Sequence, residues 1–274
     1  MGNLSDLHDV LVAEVSKLPK NDVALCLSSG VDSESLMFAM IEADINPHIY
    51  SFTLDDREST DFSVARLLAK EYNLRFTKVE LPTDIERLIS DCYLMARRYD
   101  ARKKTEFECT WPFLYLYPLV EEKYVVTGIN ADCHFCLSKK GQMHYKDRVG
   151  EYRDMCFSNP RAGQKIQRGF LAQDYGKINV DVYRAQSIID CLDGHTWDEL
   201  NKPLQKMPIR NAFKQFSEMP FRKHSNFQLG DSGIAEHFGS LLNTRLNIGG
   251  KCKSVVGIYN RIIRDANSGA QIFV

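Results

Sequence analysis

One segment constrains this chain more than any other. An apolar run at residues 22–28 (DVALCLS) passes into Ser28, Ser29, Gly30, Val31, Asp32 and Ser33, and helical spacing follows at once. A strand that turns into a helix through small residues gathers free backbone N–H groups at one point, and the helix dipole makes that point positive. Such a loop takes an anion, and the hydroxyls of Ser28, Ser29 and Ser33 add donors. Asp32 would repel a phosphate unless a cation sat between them, which makes it a candidate Mg²⁺ ligand. The loop has neither the GxxxxGK[ST] spacing nor a lysine, so it is not the usual nucleoside-triphosphatase loop.

Strand and helix signals alternate around this loop. The spacing predicts helices over 33–44, 60–72 and 83–99, with Thr60 or Asp61 capping the second and Thr83 or Asp84 the third. Strands are predicted at 48–54, 75–80 and 123–128. This order implies βαβ units in a parallel twisted sheet with helices on both faces. Ligands of such sheets bind at the carboxyl ends of the strands, where the loops after residues 28 and 127 fall. The pattern weakens over 129–180, read as loops and short helices around the site. It becomes helical again from 181, through VYRAQSIIDCL, TWDELN, MPIRNAFKQF and residues 254–264. The tail NSGAQIFV reads as a terminal strand or as disorder. The expected organisation is an anion-binding α/β domain over 1–180, with a helical part over 181–274 packed on it.

Composition narrows the partners. A formal net charge of -1 does not suit a general nucleic-acid binder. The run Arg97, Arg98, Arg102, Lys103, Lys104 is the best local basic patch, although a solvated helix end is the favoured reading. The first residues do not read as a signal peptide, and Asp6 leaves the acylation pattern incomplete. No stretch is apolar for long enough to span a membrane. Eight cysteines at irregular spacing read as a protein of the reducing cytoplasm.

The loop resembles the SGGxDS signature of the PP-loop ATP pyrophosphatase family, with Ser29 in place of the first glycine. The wider match is similar to the synthetase domain of asparagine synthetases and covers most of residues 20–230. IYSFTLDD falls on that family's second strand, and the stretch from Asp61 to Leu81 on its next helix and strand, with Tyr72 in place of leucine. VVTGINAD (125–132) resembles its S-G-x-G-A-D-E segment, KMPIRNAF (206–213) its K-x-x-L-R-x-A-F helix, and FRKHSNFQLG (221–230) its R-x-K-x-x-F segment.

The resemblance implies an adenine nucleotide α-hydrolase-like (HUP) fold that cleaves ATP between the α and β phosphates with Mg²⁺. It places ATP against Leu27, Ser28, Ser29, Gly30, Val31, Asp32, Ser33, Ser51, Phe52, Thr53, Thr127 and Gly128. It assigns Mg²⁺ and pyrophosphate to Asp32 and Asp132, and positive charge near the phosphates to Lys206, Arg210 and Lys223 or His224. Two departures stand out. Ile129 replaces an acidic residue that helps handle the nucleophile, and Cys133 replaces a glutamate. The first argues against a plain aspartate-to-asparagine reaction.

The favoured expectation is a ligase that adenylates a small substrate, a carboxylate before other groups, and passes it to a nitrogen nucleophile. No glutaminase domain is expected, so the nitrogen comes from free ammonia, an amine or a separate ammonia donor. A second expectation is activation of a nucleobase, free or in tRNA or DNA, for thiolation or amination. A third, least favoured, is a non-catalytic nucleotide-binding subunit. A homodimer is compatible with each.

Other constellations have plainer readings. Cys133 and Cys136 form a C-x-x-C, with His144 and Cys156 downstream, but no second ligand pair completes a zinc site, and free thiols are favoured over zinc or a sulfur relay. The aromatic stretch 109–119 is favoured as core over a base-stacking surface. A closing loop and an ordinary surface loop are equal readings of 221–233. His195 is assigned to a helix-capping turn.

Overall fold

Successive side chains of a strand point to opposite faces, and the strands of this chain are apolar on both. Val23 and Leu25, Ile49 and Val126 enter one core. Their neighbours Ala24, Tyr50 and Val125 enter another. A sheet with that pattern must be covered twice. The computed structural model describes residues 2–222 and 229–268. It places β1 (Val23–Cys26), β2 (His48–Leu54), β3 (Phe76–Leu81), β4 (Tyr124–Thr127) and β5 (Ile178–Val180) in one sheet of order β3-β2-β1-β4-β5, every pairing parallel.

The helices in chain order are α1 (Leu7–Val15), α2 (Val31–Glu42), α3 (Thr60–Glu71), α4 (Ile85–Arg97), α5 (Lys104–Leu116), α6 (Ala131–Phe135), α7 (Lys139–His144), α8 (Val149–Ser158) and α9 (Lys165–Asp174). They continue as α10 (Gln186–Leu192), α11 (Trp197–Asn201), α12 (Met207–Ala212), α13 (Gln215–Glu218), α14 (Ile234–Gly239) and α15 (Val255–Asn267). Helices α1, α2, α3, α6, α8 and α10 to α13 supply the first core, and α4, α5, α9, α14 and α15 the second. The chain is therefore α/β with helices on both faces, as its periodicity predicts. Residues beyond 180 divide between the faces: Ile188, Ile209 and Phe213 lie in the first core, Phe238, Tyr259 and Ile262 in the second.

Several local expectations need correction. Helix α2 starts at Val31, not at 33, so half of the phosphate loop is its first turn. The cap of α3 is Ser59, whose Oγ accepts from Phe62 N–H at 3.1 Å, while Asp84 caps α4 as expected. Strand β5 falls inside the segment read as loops and short helices. At three residues, on a sheet edge, it leaves no alternating signal. Helix α5 carries the aromatic stretch, with Trp111, Phe113 and Tyr117 buried in the second core. His195 precedes the Thr196–Glu199 capping box of α11, and its Nε2 hydrogen-bonds the Gly2 carbonyl. In the basic run, Arg98, Arg102 and Lys104 each pair with a carboxylate, which suits a solvated helix end. Residues 269–274 of the tail lie outside the described residues. Among the described residues no helix is long and apolar enough to cross a membrane.

Phe38 joins the sheet-side helix α2 to the later helices, with ring centroids 6.0 Å from Phe213 and 5.4 Å from Phe216. Truncation at this buried site, Phe38→Ala, is expected to remove about 3–5 kcal/mol of unfolding free energy in urea titration. A loss below about 1 kcal/mol would show that this face collapses to fill the void.

Candidate functional site

The strand order reverses direction at β1, whose neighbours are β2 and β4. A crevice opens outside the carboxyl ends of strands at such a switch point. A cavity of about 400 Å³ lies there, in the size range of small-molecule sites. Its wall contains the whole predicted set from Leu27 to Ser33, together with Ser51, Phe52, Thr53, Thr127, Gly128, Asp132, Lys206 and Arg210. Lys223 and His224 lie outside the described residues, as does most of the 221–233 loop's first half.

The loop is tied to itself. Ser33 Oγ accepts from Ser28 N–H at 3.1 Å and meets Ser28 Oγ at 3.1 Å, and Ser28 Oγ accepts from Gly30 N–H at 3.2 Å. Gly30 brings no capping side chain, and its carbonyl accepts from Ser33 N–H and Glu34 N–H at 3.1 Å each, which closes the first turn of α2. The end of β4 presses against this turn. A Cβ on Gly128 would stand 2.9 Å from both Asp32 Cβ and Ser33 N, a contact that only glycine permits. Tyr183 braces the turn from behind, donating to the Asp32 carbonyl at 3.2 Å and meeting Ser35 Oγ at 2.6 Å.

Charge is concentrated at one point. The Lys206 ammonium is 2.6 Å from Asp32 Oδ2 and 2.6 Å from Asp132 Oδ1, with only 3% of its side chain exposed. Burial disfavours the charged lysine, yet the two carboxylates outweigh it and hold its pKa above the ordinary value. Two carboxylates that both reach one cation are a donor set that suits Mg²⁺, which takes one or two carboxylates and completes its shell with phosphates and water. Above them Arg222 ion-pairs with Glu34 and its Nε donates to the Ser29 carbonyl at 3.1 Å. Burial pushes the Glu34 carboxyl up to about 7, against the pull of Arg222 and Arg210. Burial lowers the pKa of Arg210, whose guanidinium lies 5.0 Å from the Phe221 ring centroid.

The far end of the cavity is apolar. Phe52 and Phe113 meet edge-to-face at 5.6 Å, with Leu81 and Ile234 beside them. Sequence reasoning did not assign Arg222 or Glu34 to the site, nor Asp61, which it read only as a candidate helix cap and which accepts from Ser29 Oγ. It also missed Arg168, buried on α9. Arg168 donates to Gly163 O at 3.0 Å and Asp181 Oδ1 at 2.8 Å, and so holds one lip of the cavity. Arg222 carried a signal, because it opens the segment compared with R-x-K-x-x-F. Asp61 and Arg168 carried none, because only the fold brings them here.

All eight cysteines are free. Cys133 lines the cavity. The neighbouring Cys156 thiol is lowered to about 7, first by Cys133 and then by Tyr152 and Lys140, against its own burial. His134 is neutral, pushed down to about 4 by burial, with Nε2 donating to Tyr183 O at 2.6 Å. Among the described residues the one three-group cluster with metal-ligand spacing is His48, Glu121 and Glu122, at the other end of the sheet. Both ring nitrogens of His48 are already engaged, by Glu122 and Thr77 at 2.8 Å each, and Glu121 pairs with Arg75. That cluster is a structural knot, and among the described residues no group of three or more metal-ligand side chains includes Cys133 or Cys136.

No protein-family model matches the chain, and no curated protein sequence matches it.

The Glu34 shift sets a pH dependence. A carboxyl raised from 4.5 to about 7 in the folded state stabilises fully below its unfolded value, and that contribution is lost as pH rises through the folded one. Relative to Glu34→Gln, the wild type should lose unfolding free energy between about pH 4.5 and 7 and run parallel above that. Parallel curves throughout, in urea unfolding across that range, would refute the raised value.

Proposed function

We propose that this protein is an AMP- and pyrophosphate-forming ATP enzyme of the adenine nucleotide α-hydrolase-like kind, which adenylates an oxygen of a second substrate. The observation that carries this reading is the convergence of Asp32 and Asp132 on one cation, beside a serine-rich helix start at the switch point of a parallel sheet. Motif segments scattered over residues 27–210 line one cavity, which supports the reading.

In this reading the adenine end lies toward Ser51, Phe52 and Thr53, and the β and γ phosphates lie on the N–H groups and hydroxyls of Ser28 to Ser33. Asp32 and Asp132 would hold Mg²⁺, which supplies charge neutralisation for the departing pyrophosphate. Ser28 and Ser33, now bonded to each other, turn their hydroxyls to the phosphate. Arg210, Arg222 and Lys206 place positive charge where the transition state spreads negative charge over the phosphoryl oxygens. The substrate oxygen attacks the α phosphorus and pyrophosphate leaves. A nitrogen nucleophile then displaces AMP.

A carboxylate is the acceptor that the resemblance favours. Ile129 offers no acid to receive an ammonium group. One observation favours the second reading, activation of a nucleobase. Cys133 stands in the cavity wall next to Asp132, where a sulfur-transfer or thiol-handling residue would have to lie. Free cysteines fit the proposed cytoplasmic setting.

Incubation with Mg²⁺ and α-labelled ATP, with a panel of acids, amines and RNA, should give AMP and equimolar pyrophosphate. Asp32→Ala or Asp132→Ala should reduce this by on the order of a hundredfold or more. ADP as the product, or tight ATP binding without turnover across the panel, would overturn the reading.

A further inference from the structure

Strand β3 lies at one edge of the sheet, laddered to β2. Backbone groups along a strand point alternately to either side, so every second residue of an edge strand turns its N–H and C=O away from the sheet. The ladder fixes which residues these are. Ile49 N–H donates to Arg75 O at 2.8 Å and Asp55 N–H to Leu81 O at 2.9 Å, while Ile49 stands in register with Phe76. The odd residues of β3 therefore serve β2, and the backbone groups of Phe76, Lys78 and Glu80 point outward. Among the described residues no hydrogen bond reaches the outward groups of Lys78 or Glu80, and both residues are exposed. Such a row is a template for another strand.

Charges on an edge ordinarily keep other strands away. Here their order selects one partner. The Lys78 and Glu80 side chains ion-pair at 2.7 Å on the face covered by α3, where the Lys78 ammonium lies 6.0 Å from the Phe62 ring centroid. In an antiparallel pair the bonded positions face one another, so the even residues of β3 must meet even residues of an identical strand. A register centred on Lys78 sets that lysine against itself, and one centred on Glu80 sets that glutamate against itself. Like charges directly opposite are destabilising. The register centred on Val79 sets Lys78 opposite the partner's Glu80 and Glu80 opposite the partner's Lys78. Pro82, which has no N–H, ends the row of donors just beyond.

We propose that β3 is a self-pairing edge: two copies of this chain join antiparallel through Phe76–Leu81, in the register centred on Val79, and their sheets become one. The two-fold axis of such a pair is normal to the sheet, which keeps like faces together. On the face of the second core a cavity of about 550 Å³ opens beside the edge, lined by Lys78 and Glu80 and by the exposed Leu94 and Leu119. That apolar rim faces its own copy in the pair, and its burial adds to the strand pairing. The strands of the two copies run in opposite directions, so the cavities at their carboxyl ends open at opposite ends of the pair. The pairing stands apart from the nucleotide reading.

Sedimentation equilibrium of the whole chain over a concentration series tests this. Wild type should form a dimer. Lys78→Glu and Glu80→Lys each place like charges opposite one another and should weaken the dimer by about tenfold or more. An equal mixture of the two variants should associate again, because every opposed pair is then of opposite sign. The double variant Lys78→Glu/Glu80→Lys should dimerise as wild type does. Thermal melts that match wild type verify that each variant folds. If wild type stays monomeric, if neither single variant changes the dimer, or if the mixture associates no better than each variant alone, β3 is not the interface.

Discussion

The ion group of Lys206, Asp32 and Asp132 draws together three stretches that are remote in sequence: the start of α2, the start of α6 and the turn before α12. Buried ion groups are poor sources of net stability, because desolvation offsets most of the attraction. Their effect is on arrangement. The buried Lys206 ammonium would be an uncompensated charge away from these carboxylates, which favours this placement of the three segments. The contact at Gly128 works with it. With no Cβ there, the end of β4 lies directly on the first turn of α2, and both aspartates reach the Lys206 ammonium.

Much of the fold was legible because its central strands are short, apolar and flanked by loops with strong turn chemistry. Strands β1, β2, β3 and β4 each carry a run that stands out from the helical spacing around it. Strand β5 does not. Its three residues sit at an edge, where pairing to β4 is decided by the fold and not by local pattern. The start of α2 was misplaced for a similar reason. Serine, glycine and aspartate read as a loop, although with Gly30 at the cap they form a helical first turn.

The site was legible where it is built from contiguous motifs and illegible where it depends on packing. Residues 27–33, 51–53 and 127–132 form local segments with recognisable chemistry. Lys206 was expected near phosphates, and the structure puts it on the aspartates, a position that follows from a left-handed backbone and from Asn201. Neither can be read from spacing. Asp61 and Arg168 reach the cavity from α3 and α9. Ile129 and Cys133 both line the cavity, so both departures from the resembling family alter its wall.

Residues beyond 180 cover both faces of the sheet, with α10 to α13 over α1 and α2 and with α14 and α15 over α4 and α5. This has a consequence for synthesis. While the ribosome is still making the second half, the first half displays apolar surface on either side, and neither core can close until its late helices emerge. A chain interrupted at 180 would keep its phosphate loop and most of its sheet, yet lack Lys206 and Arg210 from the cavity and the cover over two exposed cores. In a crowded cell such a fragment is a client for chaperones.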